Sequence, residues 1–252
     1  MKRFLKIAAA GLLVLVVAAF AWLWFWGNSR HASPAPEALA ALVTDASVAV
    51  EPGDYLVFRP SADPPRMGVI FYPGANCDVR GYAPVLRRIA AAGYFVVDVP
   101  MPLEFAFLAP NRALDVQAAY PQISQWAIIG HSLGGAMAAS FVYNHPDAVR
   151  GLVIWDSFPA PNNSLADYPR PVWHVHRATP EGAPPASFAE RRSYFPPSST
   201  WVPIPGGIHM YFGAFEGGGY VEDWQPSISR QEHQDRAVAA TLQALQAMAA
   251  GG

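Results

Sequence analysis

The sequence predicts an α/β domain, a mostly parallel β-sheet with helices on both faces, preceded by one membrane-spanning helix. Three observations carry this. From about Thr44 onward, strand-length apolar runs alternate with helical patterns. The runs lack a polar alternate, as strands covered on both faces do. Residues 7–26, Ile7 to Trp26, form an unbroken apolar stretch, the length that spans bilayer hydrocarbon.

The anchor comes first in the chain. Lys2, Arg3 and Lys6 precede the run, which predicts a cytoplasmic N-terminus, and Trp22, Trp24 and Trp26 sit where an interfacial aromatic belt would lie. A cleaved signal peptide is the competing reading. It would have a shorter apolar stretch and a small-residue cleavage site, for which only the region near Ala32 offers a place. Both readings put the remainder outside the cytoplasm, periplasmic or extracellular. The expected organisation is residues 1–30 as anchor with short flanks, 31–43 as a linker containing Ser33-Pro34-Ala35-Pro36-Glu37, and 44–252 as the folded domain.

Within the domain, strands are expected at 55–58, 68–72, 94–99, 126–129, 151–155, 172–176 and 201–204, and helices at 82–92, 116–120 and 134–144. Ser229-Arg230-Gln231-Glu232 reads as a capping box opening a C-terminal helix with Val238, Leu242 and Leu245 on one face. The connection between Trp155 and Val172 has room only for a loop, so the domain is expected to lack a cap and to carry an open, shallow site.

Composition narrows the function. The chain has 252 residues, is 52% hydrophobic, and carries a net charge of -2 with 14% charged residues, without a basic stripe, so no nucleic acid partner is expected. The lone Cys77 excludes an intramolecular disulfide and a cysteine-cluster metal site. His174 and His176 share one strand face, but spacing offers no third ligand, so packing is preferred to metal and no cofactor is expected. The sequence specifies no oligomeric state.

Chemistry points to Gly130-His131-Ser132-Leu133-Gly134. An apolar strand precedes it and a small-residue helix follows, the order required of a nucleophile elbow. Gly130 and Gly134 would relieve the clash around a strained turn. A serine hydroxyl needs a base, and two histidines lie late in the chain. His209, in Gly206-Gly207-Ile208-His209 just past the last strand, is preferred. His233, among polar neighbours on the C-terminal helix, is expected to be a solvated surface residue. The acid that orients the imidazole is expected to be Glu181, in the loop after strand 172–176, with Asp156 at the preceding strand end as the alternative. Oxyanion donors are expected at the N–H groups of Leu133 and Ala75. Met101, Phe105, Phe107 and Leu108 are expected to line an acyl pocket or a membrane-facing rim, with core packing as the alternative.

At these residues the sequence resembles the α/β-hydrolase fold-5 family, relatives of dienelactone hydrolases. The resemblance runs from Gly68 to the C-terminal helix. It rests on Phe71-Tyr72-Pro73-Gly74-Ala75, Val99 to Leu103, Ala106 to Asn111, Gly130 to Gly135, Gly206 to His209, and Ile228-Ser229-Arg230. It implies an α/β-hydrolase fold and a serine hydrolase with Ser132 and His209 in its triad. The family's usual acid stands in a Gly-x-x-Asp turn, which here reads Ala178-Thr179-Pro180-Glu181, and the family shows a small residue where Asp156 stands. Dienelactone hydrolases proper use a cysteine nucleophile, so their lactone substrate does not carry over. The expected partners are a small-molecule acyl substrate and the membrane. The competing reading is a binding or scaffold domain with a decayed triad, which gains if neither acid reaches His209 Nδ1.

Overall fold

The computed structural model describes residues 11–15, 17–18, 30–62, 64–65 and 67–250. The expected anchor at 7–26 therefore lies mostly outside the described residues. Among those described, no helix is long and apolar enough to cross a membrane.

The sheet has eight strands: β2 (Val48–Pro52), β3 (Leu56–Pro60), β4 (Gly68–Tyr72), β5 (Phe95–Asp98), β6 (Trp126–His131), β7 (Leu152–Trp155), β8 (Val172–Ala178) and β9 (Thr200–Pro205), in the order β2-β3-β5-β4-β6-β7-β8-β9. Only β2 and β3 run antiparallel to their neighbours. The remaining pairs are parallel. The apolar runs are explained by what lies on each face. Val69, Phe71, Ala127 and Ile129 pack on one side, under α2 (Ala83–Ala91) and α6 (Arg230–Ala250). Ile70, Tyr72, Ile128 and Ile154 pack on the other, where α4 (Leu133–Asn144) contributes Ala138, Ala139, Phe141 and Val142 and α3 (Arg112–Ala119) contributes Ala113 and Val116. A strand buried on both faces cannot alternate with polar residues.

Parallel strands all end at one edge, and there the loops meet. The β7–β8 connection holds a single short turn at Pro161–Asn163 and no cap. At the capping box, the Ser229 hydroxyl accepts from the Glu232 N–H at 3.1 Å.

The expected linker at 31–43 is corrected by the structure. Ala32–Pro34 forms β1, paired antiparallel with β10 (Phe215–Gly217), and Pro36–Ala40 forms helix α1. Ala32, Ala35 and Ala38 are buried. Their small side chains allow close approach, which a proline-rich composition hid. His233 is corrected as well. It is fully buried, with its ring 4.4 Å from Phe212 and packed on Gly207. Burial pushes its pKa down to about 3, so it is held neutral.

Candidate active site

Ser132 stands between the end of β6 and the start of α4 with φ 54° and ψ -124°. This is a conformation that L-residues resist, and one that presents the side chain at the strand edge. The flanking glycines make it possible. A Cβ at Gly130 would meet the Gly134 carbonyl oxygen at 2.3 Å, and one at Gly134 would meet the Tyr72 carbonyl oxygen at 2.1 Å. The turn is tied to the sheet by the Ser132 N–H, which donates to the Trp155 carbonyl at 3.0 Å.

His209 opens the short helical turn His209–Phe212 just beyond β9 and is buried. Ser132 and His209 line the same cleft, about 180 Å³ in volume, together with Ala75, Cys77 and Tyr220. His209 Nδ1 lies 2.5 Å from Asp156 Oδ2. The structure thus pairs the alternative acid, not Glu181, with the imidazole. Glu181 is exposed in the turn that Gly182 N–H closes by donating to the Thr179 carbonyl at 2.8 Å. The reason is geometric. β8 runs on to Ala178 and Glu181 follows in an exposed turn, whereas Asp156 directly ends β7, two strands from β9.

Asp156 has a second partner that sequence reasoning missed. The Arg177 N–H donates to Asp156 Oδ1 at 2.9 Å, and its guanidinium pairs with Asp156 Oδ2. Arg177 also donates to Asp223 Oδ2 at 2.6 Å. Burial alone would raise the Asp156 pKa. The His209 hydrogen bond and the Arg177 charge outweigh it and hold the carboxyl well below the usual range. Asp156 is therefore ionised at neutral pH.

His209 is fixed from three further directions. Glu222 accepts from the His209 and Met210 N–H groups, both at 2.8 Å. Tyr220 stacks on its ring with centroids 3.9 Å apart. His131, the first variable residue of the serine motif, lies behind it with ring centroids 4.6 Å apart. Burial pushes the His131 pKa down, with the charge of His209 adding to the effect, so the ring is neutral. Its Nε2 faces the His209 carbonyl at 3.2 Å, an acceptor, and so carries the proton. Its bare Nδ1 accepts from the Tyr82 hydroxyl at 2.8 Å, and that hydroxyl accepts from the Gly74 N–H at 3.0 Å.

Across Pro73 to Asn76 the same network leaves one backbone donor. Pro73 has no N–H, Gly74 donates to Tyr82, and Asn76 donates to the Glu104 carbonyl at 3.2 Å. Ala75 N–H is the donor left over, and Ala75 lines the cleft with Ser132, which precedes Leu133 at the N-terminus of α4. Cys77 lines the cleft, but burial raises its thiol to about 12, which leaves it protonated. His174 and His176 are buried and stacked at 4.7 Å among Phe188, Phe195 and Trp201. Among the described residues no cluster of ligating side chains could hold a metal ion. Of the apolar cluster after β5, Met101 is buried, whereas Phe107 and Leu108 are exposed.

A strained serine on a strand-to-helix turn, with an acid-backed histidine facing the same cleft at the carboxyl edge of a parallel sheet, is the layout of an α/β hydrolase. The chain belongs to the alpha/beta hydrolase family, whose model matches residues 68–235. No curated protein matches the sequence. Solved structures do resemble the fold. A ferulic acid esterase from Streptomyces cinnamoneus is 20% identical with a TM-score of 0.52, over 74% of this chain and 67% of that one. Est1E from Butyrivibrio proteoclasticus is 14% identical with a TM-score of 0.54, over 79% and 99%. Naproxen esterase from Bacillus subtilis is 14% identical with a TM-score of 0.50, over 69% and 88%. At these identities the likeness is one of fold.

Proposed function

We propose that the protein is a serine esterase, anchored in a membrane by residues 7–26 with its N-terminus in the cytoplasm and its domain outside. The observation that carries the enzymatic reading is Ser132 at positive φ in one cleft with His209, whose Nδ1 lies 2.5 Å from Asp156. Ser132 Oγ attacks the ester carbonyl carbon while His209 Nε2 takes its proton. Asp156 holds the imidazole in the Nδ1–H tautomer and stabilises imidazolium. The N–H groups of Leu133 and Ala75 hold the oxyanion. His209 returns the proton to the leaving alkoxide, and water, activated by the same histidine, releases the acid. The chain needs no cofactor for these steps. The esterases among proteins of like fold support the same reaction class.

The decayed-scaffold reading was motivated by the departure at Glu181. It loses that support because Asp156 reaches His209. The membrane reading rests on the length and flanks of the apolar run. Hydrolysis of p-nitrophenyl acetate by the full chain tests the enzymatic reading. The wild type should turn it over and Ser132→Ala should not. Equal rates for the two would refute it.

A further inference from the structure

The cleft and the end of the apolar run are separated by almost no chain. Trp26 closes the run and Arg30 already lines the cleft, so four peptide steps of about 3.5 Å, roughly 14 Å in all, divide them at full extension. From Arg30 the chain is built into the wall of the site. The Arg30 carbonyl accepts from Gly219 N–H at 3.2 Å, and Ala32 N–H donates to the Asn76 carbonyl at 2.7 Å. The Ala32 carbonyl accepts from Asp78 N–H at 3.1 Å, and His31 Nδ1 lies 2.9 Å from Glu104 Oε2. β1 is thereby held between the loop carrying Ala75 and the segment carrying Tyr220. A tether serving only to localise the domain could leave from any surface; this one leaves from the mouth of the cleft.

Large apolar side chains face solvent beside residues of that mouth and on a turn against the helix that Ser132 opens. Leu103, beside the Glu104 that holds His31, is 79% exposed, and Val221, beside Tyr220, is 85% exposed. Phe107 and Leu108, on the turn packed against α4, are 53% and 48% exposed. The cleft itself, at about 180 Å³, is smaller than the roughly 300–1,000 Å³ that enclose a drug-sized ligand. It admits the reacting group and a short stub, and the remainder of a larger ester stays outside, against this apolar rim.

We infer that the mouth of the cleft rests on the bilayer that the apolar run enters, and that the substrate is a lipid-phase ester whose hydrophobic part stays in the bilayer while its carbonyl enters the cleft. The inference rests on the esterase and anchor readings above. The bilayer is the occupant of the apolar rim because the tether keeps it within reach whatever the concentration of other partners, and because Leu103, Phe107, Leu108 and Val221 supply what an interfacial surface buries.

The geometry is tested by fluorescence, independently of turnover. The lone cysteine, Cys77, is buried, so full-length Leu103→Cys, Val221→Cys and Asp147→Cys can each be labelled with an environment-sensitive dye, with the wild type as labelling control. Asp147 follows α4 at the opposite end of the sheet, with its side chain 91% exposed. In phosphatidylcholine vesicles carrying headgroup-level spin labels, dyes at 103 and 221 should be quenched at least twofold more than the dye at 147. Equal quenching at all three overturns the inference. Failure of the chain to float with the vesicles overturns the anchor reading and this inference with it. A twelve-residue Gly/Ser insertion after Asn28 supplies a second arm. It should leave p-nitrophenyl acetate turnover unchanged and lower turnover of p-nitrophenyl palmitate dispersed in the vesicles at least tenfold; an unchanged palmitate rate counts against the inference. Absence of turnover of both esters by the wild type would fault the esterase reading and the substrate half of the inference with it, and the quenching would still decide the geometry.

Discussion

Asp156→Asn separates the two acids the sequence offers. The substitution keeps the side chain's shape but removes the charge that His209 Nδ1 meets at 2.5 Å. An amide in that position favours the wrong imidazole tautomer and leaves imidazolium unstabilised, a change that costs about 10⁴-fold in kcat in a Ser-His-Asp site. That ratio corresponds to about 5.4 kcal/mol of barrier. Folding should suffer less. Arg177 loses one carboxylate but keeps Asp223 at 2.6 Å, so the expected loss is about 1–3 kcal/mol, the cost of an impaired buried hydrogen bond. Glu181→Gln alters an exposed turn residue, and its stability should stay within about 0.5 kcal/mol of wild type, with kcat within about twofold. The assay is kcat and KM on p-nitrophenyl acetate for the three proteins, with urea unfolding to confirm that each is folded. A large loss of kcat in Glu181→Gln, with Asp156→Asn near wild type, would refute the assignment.

Two other predictions follow from strain and burial. Ser132→Gly should abolish turnover yet raise stability relative to Ser132→Ala by about 1 kcal/mol, because glycine accepts the positive φ without penalty; urea midpoints of the pair measure this, and equal midpoints would contradict it. His233 is depressed from 6.5 to about 3 by burial. Its folded pKa lies below its unfolded one, so its contribution is complete above about pH 6.5 and is lost as pH falls toward 3. Within that window each pH unit costs about 1.4 kcal/mol. Unfolding free energies between pH 6.5 and 5 should therefore fall more steeply for wild type than for His233→Gln, and parallel slopes would count against the burial account.

The sequence revealed most where pattern and covalent constraint coincide. Residues 68–72 and 126–129 are apolar at every position, which only a doubly covered strand requires, and both are strands. Ser132 was legible because the glycines around it and the strand before it describe one turn. The acid was not. Both Asp156 and Glu181 follow strands that end at the site edge, and spacing does not reveal that β8 continues to Ala178 while Arg177 and His209 converge on Asp156. His233 was misread from its neighbours in sequence rather than its neighbours on the helix. The buried stripe Leu245, Thr241, Ala237 leads back four residues at a time to His233, and extending it would have placed the ring inside. β1 and β10 have three residues each and no period to read. Their pairing, and with it the entry of Arg30 and Ala32 into the cleft wall, is a product of tertiary packing.

The central claim is that Ser132 is an activated nucleophile. Treating the folded full-length protein with a fluorophosphonate and mapping the adduct by peptide mass spectrometry tests it most directly. One adduct is expected, on Ser132, lost in Ser132→Ala and formed far more slowly in Asp156→Asn. An unmodified Ser132 in protein shown to be folded, or an adduct confined to another residue, would contradict it.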